Sequence, residues 1–258
     1  MPHTDALTGP ITAHDIAHLP ELAQRYLRFA QALGRPADLW FRATVPGFFR
    51  LRPDQRWMAC ISEQHNSAAD LTRDFRMRLR MAHLIPVQAT DVYAHGHGRM
   101  RATALGTFTL ADGRGTAYDL SELVTFLDDA VLLAPSMLLR LAVTWTEVDD
   151  HGFELTLTDN GNTVTGRVVV DDRGAPREFT TDDRWADLPE GLVKTRWSTP
   201  VDGWCLVDGR MRPRRGTAVW HLPDGPFAYA QFDYVNADIT HGSEPPDGRN
   251  DIAPPPSR

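Results

Sequence analysis

The sequence predicts a mainly β protein: a large curved antiparallel sheet forming an incomplete β-barrel, with a central helix as plug or lid and an amphipathic helix near the N-terminus. Short runs in which apolar and polar residues alternate recur along most of the chain. They are joined by turn residues, and the helical crossovers that parallel neighbours would need are absent. One long helical stretch interrupts them: Asp119 to Arg140, DLSELVTFLDDAVLLAPSMLLR. A sheet of about twelve strands cannot stay flat, because strand twist curls it, and its concave apolar face then needs cover.

Residues 1–18 are polar and rich in histidine, which predicts a flexible arm. Pro20 opens a helix at the one place where its missing N–H costs nothing. Leu22, Tyr26, Phe29 and Leu33 share a face, and Gly34 is its expected stop. From Asp38 the period switches to two. Leu39–Arg42 and Phe48–Leu51 read as strands around a turn at Pro46-Gly47, followed by Trp57–Ile61. Phe75, Met77, Leu79 and Met81 alternate with Arg76, Arg78 and Arg80, so one face is buried and the arginine row is solvated. Val87–His95 and His97–Phe108 complete the first half.

In the central helix, Leu120, Leu123, Val124, Leu127, Val131 and Leu138 recur near the helical period; Asp119 or Ser121 is the expected N-cap and Pro135 the stop. Val131 to Ala134 is apolar on every side, which sinks this end into the interior. Strands then resume at Val143–Val148, Phe153–Thr158, Val164–Val170, Arg177–Thr181, Val193–Trp197, Trp204–Val207, Gly216–His221 and Phe227–Ile239. Asp159-Asn160-Gly161-Asn162 has the residues of a tight hairpin. The organisation is an arm over 1–18, one β-rich domain over 19–240 and a disordered Pro-rich tail over 241–258.

With 258 residues, 42% hydrophobic, the chain is long enough to bury a substantial core. A net charge of -7 argues against a nucleic-acid partner, and no apolar run is long enough for a transmembrane span. Cys60 and Cys205 lie far apart and no signal peptide is read at the N-terminus, so free thiols and a cytoplasmic location are expected.

From Leu19 to about Ile239 the chain resembles a bacterial family of unknown function, DUF6920, also labelled DUF6544. The pieces that carry the resemblance include Gln24-Arg25-Tyr26-Leu27, Gly34-Arg35-Pro36, Asp91-x-Tyr93-x-x-Gly96-x-Gly98 and, most specific, Trp220 to Phe227 followed by Tyr229. It departs from the family pattern at Arg196, where proline is usual, at Trp204, where tyrosine is usual, and at Asp129, where glutamate is more frequent. The resemblance implies no activity. By looser analogy the pattern is similar to the incomplete β-barrels of bacterial lipoprotein carriers, and a shared fold does not establish a function.

Several residues are candidates for chemistry. Glu122 and Asp129 stand two turns apart on one side of the central helix; facing a cavity they suit acid–base work, and facing water they are ordinary. Asp129 precedes a wholly apolar turn, so burial against an arginine is its sharper reading. Glu63 and Asp91 complete the carboxylate candidates. Glu63 has an ordinary reading as a cross-strand partner of the arginine row, and a sharper one in an interior patch for a carboxylate head group. His95 and His97, two apart on one predicted strand, are the candidate metal ligands, with Glu63, His65 or Asp91 beside them; a bend at Gly96 and Gly98 explains them equally. Ser136 lacks a nucleophile elbow and neither cysteine carries a catalytic signature.

The leading reading is therefore a non-enzymatic binder or carrier of an apolar or amphiphilic small molecule held between sheet and helix, without a cofactor. Trp57, Gln64, Tyr93, Leu127, Val131, Trp220 and Tyr229 are the residues expected to touch the ligand. The alternative is an enzyme of unrecognised class, hydrolase-like, working through the carboxylates or histidines in the same cleft.

Overall fold

Among the described residues, fourteen strands hydrogen-bond into one antiparallel sheet that curves around a single long helix. The computed structural model describes residues 9–81, 84–188 and 191–245. Helix α1 (Glu21–Phe29) comes first, then a meander of β1 (Trp40–Phe49), β2 (Met58–Ser67), β3 (Thr72–Met81), β4 (Ile85–Ala94), β5 (His97–Ala104) and β6 (Phe108–Arg114). Helix α2 (Thr116–Leu133) and a 3-10 turn over Pro135–Arg140 lead into β7 (Val143–Asp149), β8 (Gly152–Asp159), β9 (Asn162–Val170) and β10 (Pro176–Thr181). A small hairpin, β11 (Trp185–Leu188) and β12 (Gly191–Lys194), precedes β13 (Trp197–Pro200). A second, β14 (Trp204–Val207) and β15 (Arg210–Pro213), precedes β16 (Arg215–Leu222), β17 (Gly225–Asp233) and β18 (Asp238–Gly242).

The two halves meet at β1. One of its edges pairs with β2 throughout; the other pairs with β18 over Trp40–Thr44 and with β17 over Gly47–Phe49. Pro46 and Gly47 were expected to turn the chain and instead sit inside this strand, where it changes partner. The residue types fit: a Cβ on Gly47 would lie 2.3 Å from the Gln231 carbonyl oxygen, so only glycine lets β17 approach there. The strand order ends at β6 and at β7, which do not pair among the described residues. The barrel is thus incomplete, and α2 is the connection between its two free edges.

Every residue of α2 from Ser121 to Leu133 is buried, as expected of a plug. Leu123, Phe126, Leu127, Ala130 and Val131 pack with Tyr26 and Leu27 of α1 and with Phe153, Leu155, Val164, Val168 and Phe179. Each large apolar side chain taken fully from water contributes about 1.5–3 kcal/mol, so this is the main source of stability. The Tyr26 hydroxyl donates to the Val131 carbonyl at 2.8 Å, satisfying the one polar atom of its buried ring. A smaller cluster of Cys60, Phe75, Met77 and Leu79 lies apart from this core.

Several expectations need correction. The arm is packed from Ile11 onward: Ile11 and Ile16 are buried, and Pro10 bridges to Pro36. Residues 1–8 lie outside the described residues. Helix α1 stops at Ala30, before Gly34, because Gln31 takes a left-handed turn with φ 61° and Ala32 donates back to the Leu27 carbonyl. Helix α2 starts at Gly115, a turn before either expected cap, and Asp119 accepts the Gly98 N–H at 2.7 Å instead. The run from His97 to Phe108 divides at Leu105-Gly106, and that from Phe227 to Ile239 at Asn236. Strand β18 extends to Gly242 and Trp40 bonds the Glu244 carbonyl, so the ordered chain passes the expected boundary at 241. Residues 246–258, most of the expected tail, lie outside the described residues.

Candidate functional site

The site grows from the register of β3. Arg73 is in phase with Phe75, Met77 and Leu79, so the alternation that sends Arg76, Arg78 and Arg80 outward turns Arg73 inward. There it meets α2. Its Nε donates to Asp129 Oδ2 at 2.7 Å and its Nη1 to Glu122 Oε2 at 3.0 Å. Glu122 and Asp129 are seven residues apart, two turns on one helix face, and one guanidinium spans them. Asn66 on β2 adds a bond to Asp129 at 3.2 Å, and Gln64 bonds Asn66. On the same helix flank Asp128 accepts from Thr199 at 2.6 Å.

Two more charges face this cluster. Asp91 on β4 stands opposite Phe75 in the register and so points inward as well. Arg184, just before β11, lies over Trp197 at 4.2 Å and Trp220 at 5.2 Å, and reaches the Tyr229 hydroxyl at 3.4 Å. Four carboxyls thus gather with two guanidiniums. Burial pushes the Glu122 carboxyl up to about 8, with Asp91 adding to the effect and Arg73 opposing it. Burial and the neighbouring Asp129 push Asp128 up to about 8 against its bond from Thr199. Asp91 is raised too, by burial, with Arg73 and Arg184 pulling the other way. For Arg73 burial works against the charge, but Asp129 and Glu122 outweigh it, and the guanidinium is held above its ordinary value.

Between this cluster and the smaller apolar cluster is a cavity of about 100 Å³. Part of its lining is apolar, with Phe49, Phe75, Met77 and Phe232, and part is polar, with Arg73 and Asp91 on the same sheet face as Phe75 and with Asp128, Asp129, Arg184 and Thr199. Phe49 and Phe232 are half-buried, so the apolar part reaches the surface. The volume is that of roughly three water molecules, which suits a polar head group and not an entire lipid chain.

Among the carboxylate candidates, Asp91, Glu122 and Asp129 converge here. Glu63 does not: it faces outward on β2 and pairs with Arg78, so the arginine row makes no interior patch. The histidine pair is also corrected. His95 and Gly96 form the tight turn between β4 and β5, with φ 53° and 81°, so His95 and His97 flank a hairpin end and do not share a strand face. His97 is exposed, and no group of three metal-ligating residues occurs among the described residues.

Of the residues expected to touch a ligand, Gln64 and Tyr229 line the cavity. Trp220 lies one layer behind, stacked on Tyr229 and under Arg184. Leu127 and Val131 belong to the main core; Tyr93 bonds Asp159 elsewhere, and Trp57 carries Arg50 on its ring. Sequence reasoning missed Arg73, Asp128 and Arg184. The phase of β3 was the signal for Arg73; for Arg184, between strands, there was none.

This is an incomplete antiparallel barrel with a helix through its interior and an ionisable cluster beside that helix. The sequence matches the family of unknown function DUF6544 over residues 9–232, and the chain belongs to that family. Of the two labels attached to the resemblance, this is the one matched. No curated protein matches the sequence. Among solved structures, a LolA superfamily protein from Nitrosomonas europaea is similar, with 14% identity and a TM-score of 0.44 over 86% of this chain and 94% of that one. A DUF1329 family protein from Desulfovibrio piger gives 12% identity and a TM-score of 0.44 over 89% and 93%. A β-barrel-like protein of DUF1849 from Brucella abortus gives 12% and 0.28 over 80% and 99%.

Proposed function

We propose that this protein is a non-enzymatic binder of an amphiphilic small molecule, held between the curved sheet and α2. The observation that supports this is the mixed lining of the cavity, apolar at Phe49, Phe75, Met77 and Phe232 and polar at Arg73, Asp91, Asp128, Asp129 and Arg184. A ligand of one character would leave one part mismatched, whereas an amphiphile suits both. Native mass spectrometry and organic extraction of the purified protein test the reading. A co-purifying or readily loaded amphiphile is expected. Ala230→Phe, which fills the cavity from β17, should abolish loading while circular dichroism stays unchanged. Retention of the ligand by that folded variant would refute the reading.

One observation favours a second reading, an acid–base enzyme: Asp128, pushed up to about 8, lines the cavity with Asp91, and Glu122, also pushed up to about 8, is bonded to Arg73 beside it. Groups with such values are suited to exchange protons near neutral pH. Incubating the extracted ligand with fresh protein separates the two. Recovery of the ligand intact supports the binder, and a mass change lost in Glu122→Gln or Asp128→Asn supports the enzyme.

A further inference from the structure

Two atoms at the cavity are without a hydrogen-bond partner among the described residues: the acceptor Asp91 Oδ1 and the donor Arg184 Nε. Both are buried, and an unmet buried polar atom costs about 1–3 kcal/mol, so each is a place where a ligand gains by bonding. Arg184 is only 8% exposed, and it is held over the rings of Trp197 and Trp220. Asp91 is fixed by the β4 register. Both residues line the same cavity, and no ion pair within 4.0 Å joins them among the described residues, so a group bound there has one donor and one acceptor to satisfy.

The surrounding charges restrict what that group is. Asp91, Asp128 and Asp129 all line the cavity, against Arg73, already committed to two carboxylates, and Arg184. A carboxylate or phosphate head satisfies Arg184 but brings no proton for Asp91 to accept and sets a second anion beside Asp129. An ammonium head satisfies Asp91 but leaves Arg184 Nε without an acceptor. A hydroxyl or amide does both without adding charge. Resting on the binder reading above, we propose that the cavity selects an uncharged, hydroxyl- or amide-bearing head group that donates to Asp91 and accepts from Arg184. Its apolar chain follows Phe75 and Met77 out past Phe49 and Phe232.

Four ten-carbon probes test this by titration calorimetry: 1-monodecanoylglycerol, methyl decanoate, decanoate and decylamine. The glyceride is expected to bind about tenfold more tightly than each of the others, the ordinary worth of one such hydrogen bond. Arg184→Met and Asp91→Leu should each remove the glyceride's advantage over methyl decanoate measured on the same variant. The wild-type ranking stands even where a variant folds poorly. Equal or tighter binding of decanoate or decylamine overturns the proposal in favour of a charged head. Equal binding of methyl decanoate overturns it while the binder reading survives, and failure of all four to bind overturns both.

Discussion

The molecule has two apolar clusters, and they differ in what borders them. The larger is bounded by α1, α2 and β8 to β10 and contains Phe126, Leu127, Phe153 and Phe179 at 0% exposure. The smaller, Cys60 with Phe75, Met77 and Leu79 at 6–9%, borders the cavity and the charged flank of α2. The same helix serves both, with its apolar side in the core, with Thr125, Asp128 and Asp129 toward the cavity, and with Glu122 bonded to Arg73 beside it. A plug that only filled space would need no such flank. The first cluster accounts for why the chain folds, and the second borders the cavity on which the binding proposal rests.

The largest expected effect lies between the clusters. Arg73→Met leaves Glu122 and Asp129 buried without their cation, which should cost about 3–5 kcal/mol in urea unfolding. Leu127→Ala in the main core should cost about 2–5 kcal/mol, the range for a leucine whose surroundings collapse only partly. Met77→Ala should fall at the low end of that range, about 2 kcal/mol, because the cavity beside it already limits its contacts. Equal losses at Leu127 and Met77 would mean that the smaller cluster is as tightly packed as the larger.

How legible this was follows the same division. Period-two and helical patterns report which face of an element is apolar, so the curved sheet, the plug and the solvated Arg76, Arg78 and Arg80 could all be read. The pairing of Glu122 with Asp129 on one helix side was legible from spacing, as was burial of Asp129 against an arginine. Which arginine was not, although its phase with Phe75 and Met77 pointed to Arg73. Asp91 and Arg184 join the site through strand order and a loop, and no local pattern encodes either. His95 and His97 misled because alternation was carried through a turn whose positive φ breaks it.

The cluster also sets a pH dependence that the apolar core cannot. Glu122 and Asp128 hold their protons up to about 8 when folded and only to the ordinary carboxylate range when unfolded. Between those limits the native state carries more protons, so stability is fully present at the acid end of the window and is lost as pH rises toward and through about 8. Thermal melting from pH 5 to pH 8 should therefore show a falling Tm. Glu122→Gln and Asp128→Asn should each flatten that slope, and Leu127→Ala should lower the whole curve without changing it. A slope unchanged in both carboxyl variants would place the titration elsewhere.

The smallest effect is expected from an arginine on the same strand. Arg78 points outward from β3 and pairs with Glu63, with side chains 54% and 45% exposed. Water and salt screen such a pair, so a double-mutant cycle between Glu63→Gln and Arg78→Gln should give a coupling under about 1 kcal/mol that disappears in molar salt. The corresponding cycle between Arg73 and Asp129, with side chains 3% and 12% exposed, should keep its coupling at the same salt. The two arginines are five residues apart and chemically identical, so only the face of the strand separates them. If both couplings screened alike, the charged flank of α2 would be as wet as the outer face of β3.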